Sequence, residues 1–199
     1  MLLTDPAIAA VRPTYDVDVI AEIVSYPEYG LFSTRLRELG FQEDSSEGAP
    51  LCRWEHSGLI LDVMPLDAKI LGFSNRWYRD TLRTSAEVQL PSGLTLRLIT
   101  APYFLGTKLE AFRSRGHQDY FASHDLEDLI AVVDGRHSLI KEVQAAPNDL
   151  RLYLIEAMRV LLDEPRFLDA LPGYLLPDSA SQSRIALLLS KLQELSNSK

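Results

Sequence analysis

The pattern of hydrophobic and polar residues differs between the two halves of the chain. Before residue 100, short apolar runs are separated by glycine, proline and polar residues, which is typical of strands and turns. After residue 100, apolar residues recur at intervals of three and four, which is typical of helices. We therefore predict an α+β core over residues 1–100, with a mixed β-sheet and flanking helices. Residues 101–199 are predicted to form an all-helical C-terminal part.

Turn and capping residues place the elements of the first half. Ser25 and Glu28 form a capping-box pattern, so a helix should begin there, and Gly40 should end it. Ser57-Gly58 and residues 91–93 each separate two short apolar runs, which predicts two hairpins. The apolar face of the first helix is predicted to comprise Leu31, Phe32, Leu36 and Leu39. The predicted strands are residues 15–24, 51–56, 59–65, 86–90 and 94–99, and residues 42–50 should form a polar loop.

The second half is predicted to contain six helices, the later ones punctuated by prolines. The first of them, residues 101–115, carries Leu105, Leu109 and Phe112 at positions i, i+4 and i+7. Ser123 is a predicted N-cap for the next helix. The remaining predicted helices are residues 124–133, 139–145, 150–162, 166–171 and 179–195.

Three aspartates lie within predicted strands. Asp16 and Asp18 are one residue apart, so their side chains should share one strand face. Adjacent carboxylates repel each other unless a cation lies between them, and Mg²⁺ prefers carboxylate oxygens. The alternative is a solvated edge strand whose acids discourage aggregation. Asp62 is the single acid in an otherwise apolar strand, which indicates either a site or a paired charge.

Charged residues in the predicted helices add a second group of candidates. Lys108 falls within the apolar stripe of its helix, and Arg115 follows seven residues later on the same face. Lys108 is interpreted either as a snorkelling lysine at the core edge or as an ammonium that neutralises phosphate oxygens. Asp125 and Asp128 share one face of the next helix. The simpler interpretation of Asp125 is that it favours the positive helix N-terminus.

Composition excludes several classes of function. The 199 residues carry a net charge of −8, which argues against indiscriminate nucleic-acid binding, although residues 76–115 carry a net charge of +4 and could meet a phosphate-bearing ligand. The single cysteine, Cys52, excludes an internal disulfide and a cysteine-based zinc site. No signal sequence or membrane-spanning run is evident, so we expect a cytoplasmic protein without a membrane partner.

Phosphate-loop, dinucleotide-binding and nucleophile-elbow motifs are missing from the sequence. What remains is a set of strand aspartates followed by a helical lysine and helical acids. Three strand carboxylates with one or two metal ions suit in-line phosphoryl or nucleotidyl transfer.

The order of these motifs resembles a known family. Thr14-x-Asp16-x-Asp18, Asp62 on a strand, the helix around Lys108 and the segment Ser123-His-Asp125-Leu-Glu-Asp128 are similar to those of AbiEii/AbiGii-type nucleotidyltransferase toxins. These toxins belong to the DNA polymerase β-like nucleotidyltransferase superfamily. The resemblance covers residues 12–136 and implies a nucleotidyltransferase-like fold for the core.

The resemblance also implies roles for individual residues. Asp16 and Asp18 would bind catalytic Mg²⁺ or Mn²⁺, and Asp62 would be the third carboxylate, which helps to deprotonate the acceptor hydroxyl. Lys108 would contact the triphosphate, and Asp125 would position Lys108 or pair with it. The expected supporting residues are Thr14, Arg113, Arg115 and Asp128.

The expected function is transfer of a nucleotide from an NTP to an RNA, such as a tRNA, or to another acceptor. Such a protein would be the toxin of a toxin–antitoxin or abortive-infection system, with a cognate antitoxin as partner. One feature departs from the family: its Gly-Gly or Gly-Ser turn, which helps to hold the triphosphate, does not precede Thr14 here. The alternative is therefore a non-catalytic nucleotidyltransferase-fold protein that acts as a binding or regulatory partner.

Overall fold

The computed structural model describes residues 3–5, 16–115 and 119–198. These residues fall into two compact units: described residues 16–83 form one, and described residues 3–5, 84–115 and 119–198 form the other. The predicted mixed α+β architecture, with helices concentrated toward the C-terminus, is confirmed. Whether the core has the nucleotidyltransferase fold, with a boundary at residue 100, stays a prediction.

A four-stranded mixed sheet forms the centre of the first unit. Its strands are β1 (Asp16–Ala21), β2 (Gln42–Glu43), β3 (Arg53–His56) and β4 (Leu59–Pro65), in the spatial order β1-β4-β3-β2. β1 runs parallel to β4, and the other neighbours are antiparallel. Ser57 and Gly58 both have positive φ, at 50° and 81°, which is the two-residue hairpin turn that fits the twist of the strands. The sheet therefore consists of the predicted β3–β4 hairpin with β2 on one side and β1, which is distant in sequence, on the other.

Helix α1 (Tyr26–Glu38) covers one face of this sheet. The Ser25 side chain accepts a hydrogen bond from the Glu28 backbone N–H, as the capping pattern predicts, and Gly40 has a φ of 89°. Leu36, Trp54 and Val63 form the buried core between helix and sheet. Two short helices follow, α2 (Ala68–Leu71) and α3 (Tyr78–Thr84).

The second unit contains a small hairpin and a helical assembly. The hairpin pairs β5 (Ala86–Gln89) with β6 (Thr95–Leu98), as predicted. Helix α4 packs against α5 and α7, and α10 packs against α7 and α5. The helices are α4 (Ala101–Arg115), α5 (His124–Gly135), α6 (Leu139–Gln144), α7 (Asn148–Leu162), α8 (Pro165–Ala170), α9 (Ser179–Gln182) and α10 (Ile185–Ser196), with a 3₁₀ turn at Leu171–Tyr174.

The structure corrects several predicted boundaries. β1 ends at Ala21 rather than at residue 24, because the Ile23 N–H donates to the Ala21 carbonyl and closes a tight turn. Residues 42–43, predicted as loop, pair with β3. The predicted helix over residues 179–195 is two helices, because the Arg184 N–H donates to the Ser181 carbonyl, three residues back, and so interrupts the α-helical bonding pattern.

The predicted apolar face of α1 is also partly wrong. Leu36 is buried and Phe32 packs against the core, but Leu31 is 74% exposed and Leu39 is also exposed. Leu31 precedes Leu36 by five residues, which places it about 140° away around the helix, and Leu39 follows the last residue of α1. Along the described chain, no helix is both long and apolar enough to cross a membrane.

Candidate functional site

Three predicted carboxylates lie on one face of the four-stranded sheet. The parallel register of β1 and β4 places Asp18 directly beside Asp62. Asp16 lies two residues earlier on β1, and alternate residues of a strand share a face. Asp16 and Asp18 are exposed, whereas Asp62 is only 7% exposed. The opposite face carries Trp54 and Val63 of the core, so the fold separates an acidic face from an apolar one.

Arg53 neutralises the buried member of this group. The antiparallel register of β3 and β4 places Arg53 opposite Asp62. Its Nε donates to Asp62 Oδ1 over 2.9 Å, and its Nη2 donates to Oδ2 over 2.8 Å, which is a bidentate pair. The same Nη2 lies 3.6 Å from Asp16 Oδ2. Hydrogen bonding to Asp62 is the main reason that the pKa of Arg53 is raised above its usual value.

Arg53 was not among the residues that the sequence singled out. A two-residue turn at Ser57-Gly58 fixes the register of the hairpin, and counting back from the turn pairs Arg53 with Asp62. That count was available from the sequence. Of the two interpretations of Asp62, the paired charge is the one that the structure shows directly.

Cys52 precedes Arg53 and is also buried. Burial, together with the nearby charges of Asp62 and Asp18, raises the pKa of its thiol to about 11. A thiol with such a pKa is protonated at neutral pH and is therefore a poor nucleophile and a poor metal ligand. Cys52 is thus a packing residue beside the acidic face.

The carboxylates of this face provide oxygen ligands of the kind that a divalent cation prefers. Among residues 3–5, 16–115 and 119–198, no three histidine, cysteine or acidic side chains form a group that could hold a metal ion. Mg²⁺, however, is usually held by one or two carboxylates together with water and substrate phosphates. Asp16 and Asp18 supply two oxygen donors on one exposed strand face, so this pair fits Mg²⁺ or Mn²⁺.

The helical unit brings the second group of candidates together. Lys108 Nζ on α4 lies 2.7 Å from Asp128 Oδ2 and 3.8 Å from Asp125 Oδ1, both on α5. The exposed fractions of these side chains are 15% for Lys108, 18% for Asp128 and 9% for Asp125. Ser123 caps α5 as predicted, because its hydroxyl accepts a hydrogen bond from the Leu126 N–H. Lys108 therefore ties α4 to the first two turns of α5.

The remaining candidates have separate positions. The guanidinium of Arg113 lies 5.0 Å from the centre of the Tyr153 ring, where it links α4 to α7. Thr14 lies outside the described residues, as does the side chain of Arg115. The predicted site residues thus form two groups. Asp16, Asp18 and Asp62 belong to residues 12–83, and Lys108, Asp125 and Asp128 belong to residues 84–198.

Comparison with known proteins yields no assignment. No protein-family model matches the chain, and no curated protein matches it either. The two groups of charged residues are therefore the observations that bear on function.

Proposed function

We propose that this chain is a metal-dependent nucleotidyltransferase that moves a nucleotide from an NTP to an RNA, such as a tRNA, or to another acceptor. The observation that supports the proposal most is the register of β1 and β4, which places Asp18 beside Asp62 with Asp16 on the same face. A row of carboxylates on one sheet face is the arrangement that holds cations for phosphoryl chemistry.

The chain's residues divide the work in this proposal. Asp16 and Asp18 would hold Mg²⁺ or Mn²⁺, which would neutralise charge on the phosphates when bound. The acceptor hydroxyl oxygen forms a bond to the α-phosphorus, and the bond from that phosphorus to the pyrophosphate oxygen breaks. Asp62 accepts the proton of the acceptor hydroxyl. The contact of Lys108 with the triphosphate, which the family resemblance implies, stays a prediction.

Labelling of RNA tests the proposal. The purified protein is incubated with each labelled NTP, Mg²⁺ and total RNA, and label is followed into the RNA. We expect labelling by the wild type and loss of at least a hundredfold in Asp16→Asn and Asp18→Asn, because the cation then loses a charged ligand. Glu47→Gln is the matched control, since Glu47 is an exposed acid in a loop of the same unit. Equal labelling by wild type and Asp16→Asn would contradict the assignment.

A non-catalytic binding protein is the second candidate, and the Arg53–Asp62 pair favours it. A guanidinium that already neutralises Asp62 makes a cation less necessary on this face. This candidate predicts that neither wild type nor Asp16→Asn labels any RNA, and that both bind the same partner.

The proposed biological role is that of a toxin controlled by a cognate antitoxin. Induced expression of the wild-type chain in a bacterial host should then arrest growth, whereas Asp16→Asn expressed to the same level should not. Equal growth of both cultures at equal protein levels would refute the toxin role while leaving the transferase activity to the labelling assay.

A further inference from the structure

Arg53 is the cation of the acidic face in this structure. Its guanidinium meets both oxygens of Asp62 and also lies 3.6 Å from Asp16. The Arg53 side chain is 23% exposed and that of Asp62 is 10% exposed, so the pair is screened only weakly by water. The planar guanidinium fork fits a carboxylate with both N–H groups, which a lysine cannot do.

We infer that Arg53 is an internal counter-ion that competes with a divalent cation for the carboxylates of this face. Both oxygens of Asp62 already accept hydrogen bonds from Arg53, so a cation that engages Asp62 must either share those oxygens with the guanidinium or displace it. A doubly charged ion beside Asp16 also meets repulsion from the same guanidinium. Arg53 therefore sets the affinity of the face for divalent cations and keeps Asp62 neutralised when none is bound.

This inference rests on the proposed function, because it takes Asp16 and Asp18 as the cation-binding pair. It adds a positioning residue that the family resemblance did not supply. It also makes the Arg53–Asp62 pair compatible with an active protein. In that case the pair is the arrangement of the active site when no divalent cation is bound.

Binding of Mn²⁺ tests the inference without relying on activity. Free Mn²⁺ is measured by electron paramagnetic resonance during titration of the full chain. Arg53→Gln should bind Mn²⁺ at least about tenfold more tightly than the wild type, because one positive charge roughly 5 Å from a divalent ion is removed, and even full screening by water leaves an effect of about that size. Asp16→Asn and Asp18→Asn should each weaken binding, which identifies the face.

Arg37→Gln is the control for the change in net charge. Arg37 lies in the same unit and pairs with Glu43 over 2.6 Å, with about half of both side chains exposed. The Arg37→Gln substitution removes one positive charge from residues 12–83, as Arg53→Gln does, but it leaves the Arg53–Asp62 pair in place. We expect its Mn²⁺ affinity to stay within twofold of the wild type, because exposed charges are screened.

A second measurement covers the case in which Arg53→Gln does not fold. The Arg53 Nε–H resonance of the wild type should shift on addition of Mg²⁺, whereas that of Arg37 should not, because only the first donates to the acidic face. Equal Mn²⁺ affinity in wild type and Arg53→Gln, or an unchanged Arg53 resonance at saturating Mg²⁺, would overturn the inference and leave the proposed function standing. Absence of Mn²⁺ binding in all variants would overturn both.

Discussion

Replacement of Lys108 by methionine is the sharpest test of the helical cluster. Methionine is unbranched like lysine, one atom shorter, and suits the apolar stripe of α4, but it removes the ammonium that lies 2.7 Å from Asp128 and 3.8 Å from Asp125. Two carboxylates that are at most 18% exposed then lose their shared counter-charge. The substitution therefore tests whether the ion pairs of Lys108 stabilise the fold or whether its ammonium interacts mainly with water.

The expected cost follows from the burial of the three side chains. Removal of one partner from a buried ion pair costs about 3–5 kcal/mol. Both acids make further interactions, and Asp128 retains some contact with water, so we expect about 2–3 kcal/mol. With a urea dependence of about 1–3 kcal/mol per molar, the midpoint should fall by roughly 1 M or more.

The assay is urea unfolding followed by far-ultraviolet circular dichroism at pH 7, which reports mainly on the helices of residues 84–198. Lys141→Met is the control, because Lys141 is an exposed lysine on helix α6 and should change stability by less than about 0.5 kcal/mol. The double variant Lys108→Met/Asp128→Asn should recover part of the loss, with a coupling of about 1–2 kcal/mol. A Lys108→Met midpoint equal to that of Lys141→Met would refute the argument and favour a snorkelling lysine.

Two further predictions concern titration. Burial alone would raise the pKa of Glu142, but hydrogen bonds from Arg136 and Ser138 outweigh it and hold that pKa below its usual value. The stability that Glu142 contributes is therefore present above about pH 4.5 and is lost as the pH falls through the folded pKa, so wild type and Glu142→Gln should converge in acid unfolding curves. A constant difference down to pH 2 would contradict this. The Cys52 thiol, with its pKa near 11, should react with a thiol reagent at pH 8 far more slowly than in urea. Equal rates would show that it is not buried.

The sequence alone determined the elements whose signals are local. The Ser25 and Ser123 caps, the Ser57-Gly58 turn and the apolar stripe of α4 each depend on residues within a few positions of one another. For that reason α1, the two hairpins, α4 and the start of α5 lie where the pattern predicts them. Local signals did not show that α1 would leave Leu31 and Leu39 exposed, because that depends on which side of the helix packs on the sheet.

The partners of the charged residues were decided by the tertiary structure. β1 and β4 are some forty residues apart, so only their packing sets the register that places Asp18 beside Asp62. Asp62 and Lys108 are both charges in apolar surroundings, each predicted as either a functional or a structural residue, and both have counter-charges close by: Arg53 across the hairpin, and Asp128 on the neighbouring helix. A charge buried in an apolar element requires a partner, which the pattern along the chain predicts, but which residue supplies it is settled when strands and helices pack.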